Sequence, residues 1–299
     1  MPQQATTYKL LDGKAASIAI RERIAEQAAA IAAKRGRAPH LAAVLVGEDG
    51  ASRTYVENKV KACEKAGFKS TLVHRPATIG EDELLALVQE LNNDPQIDGY
   101  IVQLPLPPHI DAEKINLAID PRKDVDGFHP VNVGRMSIGL PGFLPATPNG
   151  ILELLRHEGV RTSGMHCVVV GRSNIVGRPM SILMGRNSDP GNCTVTLAHS
   201  RTRDLGSITR QADLLIVAIG KAKFIKAEMV KEGAIVIDVG IHRIADPSRK
   251  SGHRLVGDVD FDQVAPKCSM ITPVPGGVGP MTITSLLLNT IRAAGEPFM

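Results

Sequence analysis

The chain has 299 residues, of which 43% are hydrophobic and 22% are charged, and 35 basic against 31 acidic side chains give a formal charge of +4. This length and composition fit two globular domains and exclude a disordered, collagen-like or coiled-coil chain. Aromatic residues make up 3%, with no Trp, so the weak positive charge suits small anionic ligands better than a nucleic acid.

The cysteines and the apolar runs predict the compartment. Cys63, Cys167, Cys193 and Cys268 have spacings that fit no zinc motif, and we interpret them as free structural thiols of a reducing compartment. No apolar run reaches the roughly 18 residues of a membrane span, and the N-terminus lacks the charged and apolar regions of a signal peptide. We therefore expect a soluble cytoplasmic protein without a metal site.

The first half of the chain alternates helical and strand patterns. Apolar periodicity predicts helices over 13–34, 51–66 and 81–92, and short apolar runs predict strands over 41–46, 69–74 and 99–103. Short apolar strands separated by helices are typical of a parallel sheet that is covered on both faces. A segment rich in Gly and Pro from 120 to 148 then marks a domain boundary.

The second half repeats the alternation after a helix over 148–157, with Pro148 as its first residue. Strands are predicted over 166–170, 193–198, 213–218 and 234–238, with helices after the first three. A Gly/Pro loop over 272–280 precedes a last helix, 281–293, which we expect to pack back on the first domain. The fold class is thus α/β, with a three-layer N-terminal domain over 1–147 plus 281–299 and a Rossmann-like domain over 148–280.

A strand, a glycine turn and a helix follow one another from Val168 to Pro179. In this context backbone N–H groups and a helix N-terminus hold a pyrophosphate. Gly171 occupies the turn, but Ser173 stands where the usual motif has its second glycine. The segment alone is equally consistent with an ordinary strand-to-helix turn.

The end of the next strand indicates which dinucleotide would bind. An NAD site usually has an acidic residue there for the ribose hydroxyls, whereas this strand is followed by Ser200, Arg201 and Arg203. Together with Arg172 these side chains are suitable donors for a 2′-phosphate, which favours NADP over NAD. The alternative is that Arg201 and Arg203 are solvated loop charges.

Polar residues of the first domain suggest a catalytic group. Tyr55 and Lys59 share one face of a predicted helix, Gln103 ends a predicted strand, and Asp126 lies in a tight loop. A desolvated lysine can transfer protons, although a solvated helix face and a turn-forming Asp explain the same residues individually. Short-chain dehydrogenases also use Tyr-x-x-x-Lys, but their nucleotide turn comes first, whereas here Gly171 follows Lys59.

Taken together, these motifs resemble the bifunctional methylenetetrahydrofolate dehydrogenase/methenyltetrahydrofolate cyclohydrolase family over essentially the whole chain. The matching segments are YVENK at 55–59, VQLPLP at 102–107, KDVDGF at 123–128, VGRS at 170–173, HS at 199–200, VIDVGI at 236–241, GDV at 257–259 and TPVPGGVGPMT at 272–282. The last segment is the most specific of them.

The resemblance implies a folate-binding catalytic domain, an NADP-binding domain and a homodimer, in folate one-carbon metabolism. The implied reactions are oxidation of 5,10-methylenetetrahydrofolate with NADP⁺ and hydrolysis of the 5,10-methenyl product to 10-formyltetrahydrofolate. It also implies roles for individual residues. In the hydrolytic step, Lys59 acts and Gln103 tunes it.

The same resemblance assigns the binding residues. Tyr55 would stack on the folate ring and Asp126 would bond the pterin, with Pro275, Gly276 and Gly277 on the folate side. The residues implied to contact NADP are Gly171, Arg172, Ser173, Ser200 and Ile241, to which the strand-end argument adds Arg201.

One residue departs from the family pattern, because Ala146 stands where a Cys is common. No assigned role depends on that thiol, so the departure concerns loop packing. Two other functions remain as alternatives: an NAD-dependent relative with dehydrogenase activity only, and a non-catalytic NADP-sensing regulator. The second leaves the set of Lys59, Gln103 and Asp126 unexplained.

Overall fold

A computed structural model of the chain describes residues 8–249 and 252–295. In chain order its strands are β1 Lys9–Leu10, β2 His40–Val46, β3 Lys69–Arg75, β4 Gly99–Val102, β5 His166–Val170, β6 Thr194–Ala198, β7 Leu214–Val217, β8 Ile235–Asp238, β9 His242–Ala245, β10 His253–Val256 and β11 Met270–Ile271. The α-helices are α1 Gly13–Arg35, α2 Gly50–Lys65, α3 Glu81–Asn93, α4 Ala112–Ala118, α5 Pro130–Ser137, α6 Ala146–His157, α7 Gly177–Gly185, α8 Leu205–Thr209, α9 Phe261–Val264 and α10 Val278–Ala294.

The described residues form two compact units. The first, which we call the three-stranded unit, contains Ile18–Ala146 and the described residues from Ile283 onward. The second, the six-stranded unit, contains Thr147–Thr282 and the described residues up to Ser17. Each unit has a parallel sheet of its own.

The sheet of the three-stranded unit has the order β3-β2-β4, and both pairs are parallel. All seven residues of β2 are buried, as expected for a central strand that is covered on both faces. A core cluster between this sheet and α3 includes Val44, Leu84, Val88 and Val102. The six elements predicted between residues 13 and 103 agree with the structure to within one residue at each end.

The sheet of the six-stranded unit has the order β1-β11-β8-β7-β5-β6, and every pair is parallel. The strand β5 lies between β7 and β6, so chain order reverses there, as in doubly wound nucleotide-binding folds. β9 and β10 form a separate antiparallel pair. The carboxyl ends of the parallel strands meet at one edge, where Gly171, Ser200, Ile241 and the loop after β11 all follow a strand.

Two local expectations differ from the structure, and some short elements were not expected. The helix predicted to begin with Pro148 begins two residues earlier, at Ala146. Pro148 is tolerated inside its first turn, because the N–H groups of that turn have no partner within the helix. Between β7 and β8 the described chain has a short 3₁₀ turn, Ala227–Met229, instead of an α-helix. The sequence analysis also missed the short helices α4, α5 and α9 and the pair β9 and β10.

The start of the chain differs as well. The N-terminal domain was predicted to include residues from 1 onward, but Lys9 and Leu10 pair with Met270 and Ile271 at the edge of the six-stranded sheet. A strand of two residues has too little periodicity to be predicted, which is why this pairing was missed. Residues 1–7 and 296–299 of the predicted domain lie outside the described residues.

The last helix, α10, packs where it was expected. The amide Nδ2 of Asn289 donates to the carbonyls of Val125 at 2.8 Å and Leu144 at 2.9 Å, both in the three-stranded unit. Arg35 donates to the carbonyl of Ala294 near its end. Among the described helices, none combines the length and the hydropathy needed to cross a membrane.

Candidate active site and dinucleotide site

A buried lysine occupies the carboxyl edge of the three-stranded sheet. Lys59 lies on α2 one turn after Tyr55, and only 5% of it is exposed. Its Nζ donates to Oε1 of Gln103 at 3.1 Å and lies 4.9 Å from the centre of the Tyr55 ring. The structure therefore brings together Tyr55, Lys59 and Gln103, as the sequence analysis expected.

The position of Gln103 follows from the strand that precedes it. Its backbone N–H continues the β2–β4 ladder by donating to the carbonyl of Val44 at 2.9 Å. Its side-chain Nε2 donates to the carbonyl of Leu104 at 2.7 Å, which directs the oxygen Oε1 toward Lys59. α2 is anchored nearby, because Asp49 accepts from the backbone N–H of Ser52 at its first turn.

Burial and the charge of the neighbouring group shift the pKa values of Lys59 and Asp126 in opposite directions. Burial lowers the pKa of Lys59, and the charge of Asp126 partly offsets this. Burial also raises the pKa of Asp126, and the charge of Lys59 partly offsets that in turn. A lysine whose pKa is lowered can exchange a proton closer to neutral pH than an exposed lysine can. The arrangement thus suits proton transfer.

The loop that carries Asp126 is shaped by a neighbouring carboxylate. Asp124 is buried, and it accepts from the backbone N–H groups of Gly127, Phe128 and His129 at 3.1, 3.2 and 2.8 Å. Asn132 on α5 also donates to it at 2.9 Å. These four bonds give the loop one conformation, in which the Asp126 side chain interacts with Lys59.

Glycine is required at the next position of this loop. Gly127 has φ of +74°, and a Cβ there would lie 2.5 Å from the backbone carbon of Leu144. The same close approach places the N–H of Ala146 3.1 Å from the carbonyl of Asp126, to which it donates. Ala146, the residue that departs from the pattern expected in the sequence analysis, is buried here.

Sequence reasoning missed Asp124, Asn132 and Asn289 as residues that hold this loop. A signal was available for Asp124, because the segment 123–128 contains two aspartates at alternate positions and only the second was assigned a role. No comparable signal exists for Asn289, which is 164 residues from its partner Val125. Long-range pairs of this kind come only from the tertiary structure.

The glycine turn of the six-stranded unit has the geometry of a phosphate-binding turn. Gly171 has φ of +134°, and a Cβ there would lie 2.2 Å from the carbonyl oxygen of Ala218 at the end of β7. A Cβ on Gly177 would lie 1.9 Å from the carbonyl oxygen of Gly171, so the start of α7 packs directly on the turn. This is the close packing that lets a helix N-terminus approach a pyrophosphate.

Ser173 occupies the turn without blocking it. Its Oγ accepts from the N–H groups of Val176 at 3.2 Å and Gly177 at 3.4 Å, and it thereby stabilises the entry to α7. The side chain does this as an exposed residue, so it remains open to a ligand.

Exposed cationic and polar side chains follow the two neighbouring strands β5 and β6. Arg172, Ser200 and Arg201 are exposed, and within the described residues neither guanidinium group bonds to protein. The backbone N–H of Arg201 donates to Nδ1 of His199 at 3.2 Å, which turns the chain back after β6. Ile241 is 63% exposed just before β9. Two free guanidinium groups at this edge suit a bound phosphate.

The loop after β11 is tightly packed against the start of α1. Gly276 has φ of +107°, and its carbonyl accepts from the N–H of Lys14 at 2.9 Å. A Cβ on Gly13 would lie 1.8 Å from the carbonyl oxygen of Gly277, and one on Gly277 would lie 2.6 Å from that of Pro273. Pro275 is exposed. Pro275, Gly276 and Gly277 belong to the six-stranded unit. The other residues predicted for the folate and the hydrolysis, Tyr55, Lys59, Gln103 and Asp126, belong to the three-stranded unit.

Two models of one protein family match successive parts of the chain. Residues 11–126 match the model of the tetrahydrofolate dehydrogenase/cyclohydrolase catalytic domain, and residues 145–297 match that of the NAD(P)-binding domain of the same family. The bifunctional protein FolD of Cytophaga hutchinsonii is 65% identical over 96% of this chain and 99% of its own length.

Solved structures give the same result. The bifunctional FolD methylenetetrahydrofolate dehydrogenase/cyclohydrolase of Campylobacter jejuni is 49% identical, covers 96% of this chain and 98% of its own, and superposes with a TM-score of 0.90. The Trypanosoma brucei methylenetetrahydrofolate dehydrogenase-cyclohydrolase, complexed with NADP cofactor and an inhibitor, is 39% identical, with 98% of both chains covered and a TM-score of 0.90.

Both family models match in the expected order, and relatives of high identity cover nearly the whole chain. The chain belongs to the tetrahydrofolate dehydrogenase/cyclohydrolase family.

Proposed function

We propose that this protein oxidises 5,10-methylenetetrahydrofolate with NADP⁺ and then hydrolyses the product to 10-formyltetrahydrofolate. In the first step the methylene carbon loses a hydride to NADP⁺, which leaves the 5,10-methenyl cation and NADPH. In the second step the cation takes up water and releases one proton. The observation that carries this proposal is the buried Lys59, bonded to Gln103 and interacting with Asp126.

NADP⁺ supplies the hydride acceptor, and the six-stranded unit supplies the groups that hold it. The glycine turn and the start of α7 suit the pyrophosphate, because the packing of Gly177 on Gly171 brings the N-terminus of the helix close to the turn. Ser173 shapes that turn, and Ile241 is an exposed residue of the segment that follows β8.

Arg172, Ser200 and Arg201 select NADP⁺ over NAD⁺ in this proposal. Their support is that they are exposed after neighbouring strands, and that the guanidinium groups have no partner in the described part of the chain. A phosphate monoester presents the charge and the acceptors that such groups bind best. The Trypanosoma brucei relative was solved with NADP cofactor, which supports the same choice.

Lys59 acts as the proton-transfer group of the hydrolysis. In its neutral form it accepts a proton from the water that attacks the methenyl carbon. The resulting ammonium then donates to N5 as the bond between N5 and the carbon breaks, and the hydroxyl proton leaves to solvent. Burial favours the neutral form, and a cationic substrate favours it further. Gln103 keeps Nζ in place through Oε1.

The remaining predicted residues bind the folate. Tyr55 offers a ring face beside Lys59 for stacking on the pterin. Asp126 interacts with Lys59 and accepts hydrogen bonds from the pterin nitrogens. For Pro275, Gly276 and Gly277 the assignment to the folate rests on the resemblance of the segment 272–282 to the family. We assign folate binding and catalysis mainly to the three-stranded unit, and the dinucleotide to the six-stranded unit.

A coupled assay on the purified protein tests the proposal. The protein is given 5,10-methylenetetrahydrofolate with NADP⁺ or with NAD⁺, and NADPH and methenyl absorbance are followed together. We expect NADPH formation without accumulation of the methenyl compound, and slower reduction of NAD⁺. Accumulation of the methenyl compound would contradict the role of Lys59, and no reduction of either dinucleotide would contradict the dehydrogenase activity.

We also propose that the protein is a homodimer, which rests on its membership of this family. Light scattering coupled to size-exclusion chromatography tests this, and a mass of about 32 kDa in solution would contradict it.

A cytoplasmic location is proposed from the state of the cysteines. Cys63, Cys167 and Cys268 are buried free thiols, and Cys193 is a partly buried free thiol. Such thiols suit a reducing compartment. Fractionation of the source cells, with detection of the protein in each fraction, would test the location.

A further inference from the structure

One buried carboxylate in the six-stranded unit accepts four hydrogen bonds. Asp258 has no exposed surface, and its Oδ2 accepts from the backbone N–H groups of Ile219 at 2.8 Å and Gly220 at 2.9 Å. Its Oδ1 accepts from the N–H of Lys221 at 2.9 Å and from Nε2 of His242 at 2.7 Å. Three of the four donors lie in the loop after β7, and the fourth belongs to the segment after β8.

The first of these loops adjoins the glycine turn. Residues 219–221 are separated from β7 by Ala218 alone. The N–H of Ala218 donates to the carbonyl of Val170, and its own carbonyl packs against Gly171. A shift of this loop would therefore move the backbone on which the Gly171 turn rests.

The second loop carries Ile241. Side chains at successive extended positions point to opposite sides, and here Ile241 is exposed whereas the ring of His242 is turned inward to Asp258. The bond from His242 thus determines which way the segment after β8 presents Ile241. Asp258 thus connects the loop of Ile241, which we have assigned to the dinucleotide, with the loop next to the assigned Gly171 turn.

Asp258 itself is held in place by a second carboxylate. Asp238 at the end of β8 accepts from the N–H of Asp258 at 2.9 Å and from that of Val259 at 2.9 Å. Two glycines make this approach possible, because a Cβ on Gly240 would lie 2.4 Å from the Asp258 carboxylate, and one on Gly257 would lie 1.8 Å from Asp238. The backbone at Gly240 and Gly257 therefore lies directly against the two carboxylates.

We propose that Asp258, together with His242, is a positioning residue of the dinucleotide site, which it serves by holding residues 219–221 and Ile241 in their binding conformation. This inference rests on the proposed function, and it deepens it. Asp258 does not touch the ligand, and its effect reaches NADP⁺ through the backbone of two loops. None of the groups assigned to hydrolysis is involved, because those belong to the other unit.

The test is Asp258→Asn, which preserves the size of the side chain. In the unmodified protein each carboxylate oxygen accepts two hydrogen bonds. The amide of Asn has one acceptor oxygen, so its NH₂ group would face two donors that lose their acceptor. Buried donors without a partner destabilise the arrangement. We expect the Kd and the KM for NADP⁺ to rise about tenfold. The KM for folate, and the rate of hydrolysis of methenyltetrahydrofolate supplied directly, should remain within twofold of the unmodified protein.

The matched control is Asp213→Asn in the same unit. Asp213 precedes β7 at the opposite edge of the sheet, where it accepts from the N–H of His166 and pairs with Lys231. This variant should leave the Kd for NADP⁺ within twofold. The proposal is overturned if Asp258→Asn binds NADP⁺ as the unmodified protein does, if the control loses as much affinity, or if hydrolysis falls as far as NADP⁺ affinity.

A second pair of variants decides the question if Asp258→Asn does not fold. His242→Gln keeps an N–H donor near Nε2 and should retain NADP⁺ affinity, whereas His242→Leu removes the donor and should lose about fivefold. Equal affinity in the two variants overturns the proposal. If the unmodified protein itself does not bind NADP⁺, the proposed function fails as well, whereas binding that Asp258 and His242 variants leave unchanged overturns this inference alone.

Discussion

Gln103 and Lys59, which are 44 residues apart in the chain, are joined by a hydrogen bond of 3.1 Å between Oε1 and Nζ. The amide cannot turn freely, because its Nε2 donates to the carbonyl of Leu104. In this arrangement Gln103 presents an acceptor to Lys59. A neutral amine and an ammonium can both donate to it, so the lysine keeps its place in both protonation states.

Replacement of the lysine should separate the two activities. In Lys59→Met or Lys59→Gln we expect hydrolysis of methenyltetrahydrofolate to fall by about 10²–10⁴-fold, the usual contribution of general acid–base catalysis. Oxidation of methylenetetrahydrofolate should continue at a reduced rate, since hydride transfer needs no proton at Lys59. The measurement is a pair of steady-state assays, one for each substrate.

Lys61→Met serves as the control, since Lys61 is an exposed lysine of the same helix. It should leave both rates within twofold. Undiminished hydrolysis in the Lys59 variants would remove that residue from the mechanism.

A charge at position 103 should move the pH dependence of hydrolysis. In Gln103→Glu a carboxylate would face Nζ and stabilise the ammonium, so the pKa of Lys59 would rise. The rate that depends on the neutral amine would then increase at higher pH than in the unmodified protein. The pH–rate profile of hydrolysis checks this, and a profile that stays in place or moves to lower pH would argue against a neutral Lys59 as the active form.

Loss of two arginines should change the choice of dinucleotide. In the double variant Arg172→Ala, Arg201→Ala we expect the KM for NADP⁺ to rise by tenfold or more per residue, because each charge-assisted bond contributes about 1.5–3 kcal/mol. The KM for NAD⁺ should change little, since it lacks the 2′-phosphate. Kinetics with both dinucleotides measure the ratio.

The control for this change is Arg156→Ala, which removes an arginine that pairs with Glu153 on α6. It should leave the ratio unchanged. Equal losses for NADP⁺ and NAD⁺ in the double variant would mean that these arginines do not recognise the 2′-phosphate.

Asp124 should make stability depend on pH. Burial raises its pKa from the ordinary 3.8 to about 7, against the hydrogen bonds that lower it. Between these values the folded protein holds a proton that the unfolded chain has released, so the free energy of unfolding falls as pH rises and levels off above about 7. The steepest change for one such group is about 1.4 kcal/mol per pH unit.

The comparison that isolates this effect is Asp124→Asn, which does not titrate. We expect the free energy of unfolding of the unmodified protein, minus that of the variant, to decrease from pH 5 to pH 7 and then to remain constant. Chemical denaturation at several pH values gives this difference. A difference that stays constant from pH 5 to pH 8 would show that Asp124 remains ionised throughout.

The sequence alone was sufficient for most of the secondary structure. Strands such as 41–46 are short apolar runs, and helices such as 81–92 carry a clear apolar stripe, so local periodicity identifies both. It could not identify β1 and β11, which have two residues each and exist only because they pair with each other and with β8. Their pairing joins residues 9 and 10 to a sheet some 260 residues further along the chain.

For the candidate site, too, the sequence determined one part and the tertiary structure another. The sequence by itself determined which groups we propose for the chemistry, because Lys59, Gln103, Asp126 and the Gly171 turn belong to contiguous motifs that resemble a known family. Only the tertiary structure decided how these groups are held: Asp124 and Asn289 on the Asp126 loop, and Asp258 on residues 219–221 and His242. The physical reason is that a buried polar group needs partners, and the chain supplies them from whichever segment packing brings near, at a separation that no local pattern records.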